Sequence, residues 1–279
     1  MCKFNNKIGF KIYQDNLSED VLHNLKHLLS ERYIIEFSQF EDFPKKTIDF
    51  LNLKSYTNNF YHVNYNKVDI SRYFKIKSSK DVIIENLIEE FKNSDLVNCN
   101  NLVFHVENEN PFFVVNDKQK IFYFNKIFEF FSTFYEKYPE ATQKVFYIEN
   151  TFNSSLFYKD LILFLKENNI NVGFCFDIGH AKVWSSDSFD TWYSDILYLI
   201  KFGIPIHSHI HANKGDFDTH SPLAELDSNA FFNKRITDDF IFSNNLLKDI
   251  EKLINNKNIS VIFEYNINIA IMDFILFFK

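Results

Sequence analysis

The sequence is short of arginine, cysteine, glycine and proline, and each shortage excludes something. Of 279 residues, only Arg32, Arg72 and Arg235 are arginine, and 30 Lys and Arg against 37 Asp and Glu leave a net charge of −7. An acidic, arginine-poor surface matches a phosphate backbone badly, so no nucleic-acid partner is expected. Cys2, Cys99 and Cys175 are an odd number at unrelated spacings, which gives neither a disulfide framework nor a C-x-x-C metal clip. Five glycines and five prolines form no low-complexity stretch and no linker, so one domain over residues 1–279 is expected. There is no G-x-G-x-x-G and no G-x-x-x-x-G-K-[ST], which removes the main support for nucleotide binding. The start, MCKFNNKIGF, has no apolar signal core. The most apolar run, Ile267–Phe278, is broken by Asn268 and Asp273 and falls below the roughly 20 residues a bilayer needs. A soluble cytoplasmic protein without a membrane partner is expected.

What is abundant is a regular alternation. Strand-like runs occur at Ile8–Tyr13, Tyr33–Phe37, Phe60–Asn64 and Leu102–Val106, and again at Val145–Glu149, Val172–Asp177, Ile206–His211 and Ser260–Tyr265. Helical patterns lie between them, at Ser18–Leu29, Lys80–Phe91, Ile121–Tyr135, Phe157–Glu167 and Leu246–Ile254. Ser18 is placed to cap the first. Eight βα units predict an α/β fold, a single (β/α)8 TIM barrel; an open doubly wound sheet lacks its Gly-rich fingerprint. The aromatic run 121–138 has helical spacing, which fits packing on a barrel, and its excess of phenylalanine leaves room for a homodimer contact.

Polar residues gather where these strands end, the side on which such barrels carry their active sites. Glu36 lies near the end of the second strand, His62 on the third, His105 on the fourth, and Glu149 closes the fifth. The sixth closes on Asp177 with His180 three residues on, the seventh carries His209 and His211 ahead of Asp218 and His220, and the eighth reaches Glu264. Strand parity turns Val145, Tyr147 and Glu149 one way, as it does Gly173, Cys175 and Asp177, and His207, His209 and His211. Several carboxylates converging at the end of apolar strands need a cation to offset their burial. Imidazole with carboxylate suits zinc, manganese, iron or cobalt better than calcium.

The segments IENTF (148–152), CFDIGHA (175–181), HIHANKG with FDTH (209–220) and IFEYN (262–266) resemble the xylose isomerase-like TIM-barrel superfamily. That superfamily holds the sugar and sugar phosphate isomerases and epimerases, and endonuclease IV. The isomerase and epimerase branch implies one divalent metal (Mn, Mg, Co, Zn or Fe) on Glu149, Asp177, His209 and Glu264. Glu149 and Glu264 would exchange a proton at a substrate carbon through an ene-diolate, and His180 would hold a substrate oxygen. His62, His105, His211 and Glu36 would then contact a small-molecule substrate: a sugar, a sugar phosphate or a related polyol. The endonuclease IV branch implies a three-metal zinc phosphodiesterase acting on abasic DNA, with His62, His105, Asp218 and His220 as added ligands. A multinuclear iron oxidase or oxygenase could use the same set. The first strand, IGFKIYQDN, lacks the small, histidine-bearing start of the endonucleases, and IIEFSQF with Glu36 reads like the sugar enzymes, so an isomerase or epimerase is the leading expectation. In SPLAELD (221–227), Ala224 and Leu226 replace the glycines of a Gly-Glu-Gly-like turn, where side chains would reshape the pocket mouth. His23, His27 and His207 read as structural or exposed, Glu107 and Glu109 as surface loop charges, and Cys175 as a small packed residue.

Overall fold

The computed structural model describes residues 7–13, 17–38, 45–76, 79–107, 112, 114, 116–213, 217–223 and 246–278. Eight parallel strands follow one another round a closed barrel in sequence order. They are β1 (Ile8–Tyr13), β2 (Ile34–Ser38), β3 (Phe60–His62), β4 (Asn101–His105), β5 (Val145–Glu149), β6 (Val172–Asp177), β7 (Ile206–Ile210) and β8 (Ile259–Phe263). β1 closes on β8 with Gly9 opposite Ile262. All eight predicted strands are present with ends shifted by at most two residues, and the barrel expectation holds.

The described helices are α1 (Glu19–Ser30), α2 (Lys45–Leu51), α3 (Ile70–Lys75), α4 (Lys80–Leu96), α5 (Asp117–Lys137), α6 (Ser155–Glu167), α7 (Ile178–Trp184), α8 (Phe189–Lys201), α9 (Leu246–Asn255) and α10 (Ile267–Phe278). None of them is long and apolar enough to cross a membrane. Ser18 caps α1 by accepting from the Val21 amide. On α5 the predicted packing face is real: Phe124, Ile127, Phe130, Phe131 and Phe134 are buried, and Phe131 meets Phe146 of β5 at 5.3 Å between ring centroids. Ile121 and Phe122 of the same helix stay exposed.

Strands covered by helices outside and filled by side chains inside are apolar on both faces. The interior is layered. Ile34, Phe60, Val103, Tyr147, Cys175 and Ile262 form an apolar plug, so Cys175 packs as its parity predicts. One strand repeat further toward the C-terminal ends the same faces turn polar: Lys11 sits opposite Glu36, His105 opposite Glu149 and Asp177 opposite His209.

Candidate metal centre

Four histidines of that polar layer share one arrangement: one ring nitrogen donates to a fixed acceptor and the other faces carboxylates. His62 Nδ1 donates to the Val63 carbonyl (3.0 Å), and its Nε2 meets Glu149 Oε2 (3.1 Å). His180 Nδ1 donates to the Asn150 carbonyl (3.0 Å) and Nε2 meets Asp218 Oδ2 (3.0 Å). His211 Nδ1 donates to the Ala212 carbonyl (3.3 Å) and Nε2 meets Asp177 (3.1 Å). His209 Nε2 donates to Glu36 Oε2 (2.9 Å), while Nδ1 lies 2.8 Å from Glu264 Oε2, 3.5 Å from Glu149 Oε1 and 3.7 Å from Asp177 Oδ2. This is how metal-ligating histidines are held, because the outer bond fixes tautomer and ring orientation.

The side chains gather into groups whose ligand atoms lie within 4.8 Å of one another. One is Glu149, Asp177, His209 and Glu264; a second is His62, His105 and Glu149; a third is His180, His211, Asp218 and His220. Glu149 belongs to two of them. Its Oε2 is 3.0 Å from His105 Nε2 and 3.1 Å from His62 Nε2, while its Oε1 is 3.2 Å from His180 Nδ1. Glu36 Oε1, His105 Nε2, Glu149 Oε1, His209 Nδ1, Asp218 Oδ1, His220 Nδ1 and Glu264 Oε2 are buried without a hydrogen-bond partner. Orphaned donors and acceptors in one buried cluster carry a desolvation cost that a divalent ion removes. The donor set fits such an ion.

Electrostatics agree. Burial opposes ionisation of Glu149, but the charges of His105 and His209 and the nearness of the His105 and His180 ring nitrogens hold its carboxyl well below the usual range. Glu264 is held low in the same way, burial being outweighed by His209, Lys11 and His220. Burial pushes the His180 imidazole down, and Asp177, Asp218 and Glu149 more than reverse this, so it is raised well above the ordinary value. Carboxylates kept charged are ready to bind a cation.

The loop bearing Asp218 and His220 is pinned by the antiparallel bridge between Ala212 and Ser221, with amide-to-carbonyl distances of 2.8 and 2.7 Å. The Thr219 amide donates to Asn213 Oδ1 (2.8 Å). His220 has φ 45°, in the left-handed region where a non-glycine residue costs about 1–3 kcal/mol. Strain of that kind persists where surrounding contacts over-determine it, here the bond from His220 Nε2 to Asp218 (3.1 Å) and the His211 ring stacked 4.1 Å away.

A cavity of about 290 Å³ opens over this layer, walled by Tyr13, Tyr65, Phe152 and Trp184, with His62, His105, His180, His220 and Glu264 on its floor. Two expected substrate contacts sit elsewhere. Glu36 is fully buried below the cavity and orients His209, and His211 is buried against Asp177. His207, read as structural or exposed, is buried, donating from Nε2 to Glu36 (3.0 Å) with Nδ1 on Ser260 Oγ (2.8 Å); His23 and His27 are exposed. Glu107 is corrected outright: it is a buried carboxylate that accepts from Tyr158 Oη (2.7 Å) and Asn153 Nδ2 (2.7 Å). Glu109 and the Ala224–Leu226 turn lie outside the described residues. Lys11 was missed, although its place between Gly9 and Tyr13 in the alternation pointed it inward.

Gly179, in the first turn of α7, has a structural reason. A Cβ there would stand 2.0 Å from Cε1 and 2.4 Å from Nε2 of the buried His211 ring. Gly179→Ala is therefore expected to weaken metal retention by roughly ten- to a hundredfold, measured by competition with a chelator. Alanine favours a helix over glycine by about 1 kcal/mol, so α7 itself would not be the cause. Unchanged retention would show that the His211 ring can yield without consequence.

No protein-family model matches the chain, and no curated protein matches it. Solved structures do. A D-tagatose 3-epimerase-like protein superposes with a TM-score of 0.59 at 16% identity, covering 97% of this chain and 95% of the other. Endonuclease IV from Thermus thermophilus gives 0.59 at 12%, covering 97% of each. A xylose isomerase domain protein from Planctomyces limnophilus gives 0.54 at 11%, covering 99% and 95%. The structural neighbours of this chain are thus xylose isomerase-like TIM-barrel proteins, and it shares their closed (β/α)8 fold.

Proposed function

We propose that this protein is a multinuclear metal-dependent hydrolase of a phosphate ester on a small molecule. The observation that carries the reading is Glu149, whose Oε2 faces His62 and His105 and whose Oε1 faces His209 of a different ligand group, as a carboxylate shared by two ions would. An epimerase exchanging protons between two glutamates needs both at the substrate. Glu149 is fully buried and absent from the cavity lining, whereas Glu264 is on it.

Divalent ions bound there supply Lewis-acid charge to the phosphoryl oxygens and lower the pKa of water. The chain's residues do the rest. His62, His105 and Glu149 would hold one ion, Asp177, His209 and Glu264 a second with Glu149 shared, and His180, His211, Asp218 and His220 a third. Glu36 and the carbonyls of Val63, Asn150 and Ala212 keep the imidazoles turned inward. Tyr13, Tyr65, Phe152 and Trp184 wall the cavity, and aromatic walls of low polarity strengthen the electrostatics of the site. The cavity volume suits a small phosphate ester rather than a duplex, in keeping with the acidic, arginine-poor composition.

The second reading is the single-metal isomerase or epimerase of a sugar or sugar phosphate. It is favoured by the compact Glu149, Asp177, His209 and Glu264 group and by Glu264 at the cavity floor. Elemental analysis of protein purified without chelator or metal-binding tag separates the two. Two or three equivalents per chain, with hydrolysis of p-nitrophenyl phosphate or its diester lost on chelation, is the expected result. One equivalent of manganese, cobalt or magnesium, with solvent proton exchange at a sugar carbon, would select the epimerase. Iron with dioxygen uptake would select an oxidase.

A further inference from the structure

Strand β1 places a cation inside the carboxylate cluster. The Lys11 side chain is 3% exposed, its ammonium bonds Glu264 Oε1, and it lies 3.4 Å from Glu36 Oε1. A buried ammonium is expensive in desolvation, and a methionine would fill this barrel position at lower cost. Glu36 and Glu264 do not require it, since both already face His209.

Three observations give the lysine a ligand. First, Lys11 lines the cavity beside Tyr13, and no other lysine or arginine does so among the described residues. Second, an ammonium has three N–H donors; one bonds Glu264 and Glu36 is only an ion-pair neighbour at 3.4 Å, which leaves donor capacity for an oxygen in the cavity. Third, with the imidazoles neutral, as they are when they ligate metal, Glu36, Glu149, Asp177, Asp218 and Glu264 contribute five negative charges against one positive charge from Lys11. Two divalent ions would bring this cluster to neutrality and three would leave it at plus two. A phosphate group carries about two negative charges near pH 7, so it gains from a cation that faces the cavity.

We propose that Lys11 is a substrate-contacting residue, donating a hydrogen bond to a non-bridging oxygen of a phosphate group in the cavity. This rests on the phosphate-ester reading above and adds the group that would choose a phosphorylated substrate over its unphosphorylated counterpart.

The test uses metal-loaded full-length protein and inorganic phosphate as the probe, with affinity by calorimetry and metal content by elemental analysis. Lys11→Met is expected to weaken phosphate binding by roughly ten- to a hundredfold, the range for losing a hydrogen bond to a charged group, with metal content unchanged. Lys11→Arg is expected to recover part of the loss. Lys11→Gln, polar and nearly as long, gives the same comparison if the methionine variant does not fold. Wild-type affinity in loaded Lys11→Met or Lys11→Gln protein would overturn the assignment and leave the hydrolase reading standing. Loss of metal from these variants, with phosphate affinity per loaded chain intact, would overturn it too, making Lys11 a counter-charge for Glu264. Fully loaded wild-type protein that ignores phosphate would overturn the phosphate-ester reading and this proposal together.

Discussion

Glu149→Gln is expected to strip at least one equivalent of metal from the protein and to lower turnover by roughly a thousandfold, about 4 kcal/mol of transition-state stabilisation. The amide keeps the size of the side chain but loses the charge that His62, His105, His180 and His209 all face. Because both oxygens are engaged on different sides, one substitution damages two ligand groups, whereas replacing His105 would touch one. The readouts are metal per chain and the turnover of loaded protein. A variant with full metal content and wild-type turnover would show that Glu149 bridges nothing. A variant that keeps its metal and loses only proton exchange at a sugar carbon would return the epimerase to first place.

Trp192→Ala is expected to cost about 3–5 kcal/mol of stability while leaving metal stoichiometry in the folded fraction unchanged. Trp192 on α8 is fully buried, with its ring stacked on Phe174 at 6.3 Å and 12°, tilted against Phe176 at 5.4 Å, and near Tyr158 of α6 at 6.2 Å. It joins β6 to the helices that cover it. Its indole nitrogen has no hydrogen-bond partner, so the loss is one of packing alone. Thermal unfolding should shift by on the order of 10 °C. A shift of a degree or two would mean that the surrounding rings collapse into the space. A loss of metal would mean that this outer layer sets the position of Asp177.

The barrel was legible because its signals are local. Each strand announces itself by a short apolar run, each helix by a face such as Val21, Leu25, Leu28 and Leu29, and their strict alternation leaves few topologies. The aromatic helix α5 was legible for the same reason. The strand-end residues could be named because parity and strand order determine which side chains share a face. Grouping Glu149, Asp177, His209 and Glu264 as one set took the resemblance to the xylose isomerase-like barrels as well, since parity turns His207 and His211 the same way as His209.

What failed to read was partnership. Glu36 sits at a strand position that parity turns inward, yet only the closed barrel shows that it reaches past the cavity to His209 and His207, 173 and 171 residues away in sequence. Glu107 lies in a polar stretch that looks solvated, and its burial depends on Tyr158 and Asn153 arriving from the next βα unit. Asp218 and His220 follow β7 in a polar segment whose fixed geometry comes from one two-bond bridge between Ala212 and Ser221.

The sequence by itself determined the fold class, the strand order and the roll of inward-facing acids and histidines, because periodicity and alternation are properties of neighbouring residues. Only the tertiary structure decided which oxygens of Glu149 serve which group, that Glu36 orients rather than contacts, and that Lys11 enters the cluster. Those are distances between side chains on different strands, set by barrel closure and register, and no spacing along the chain encodes them.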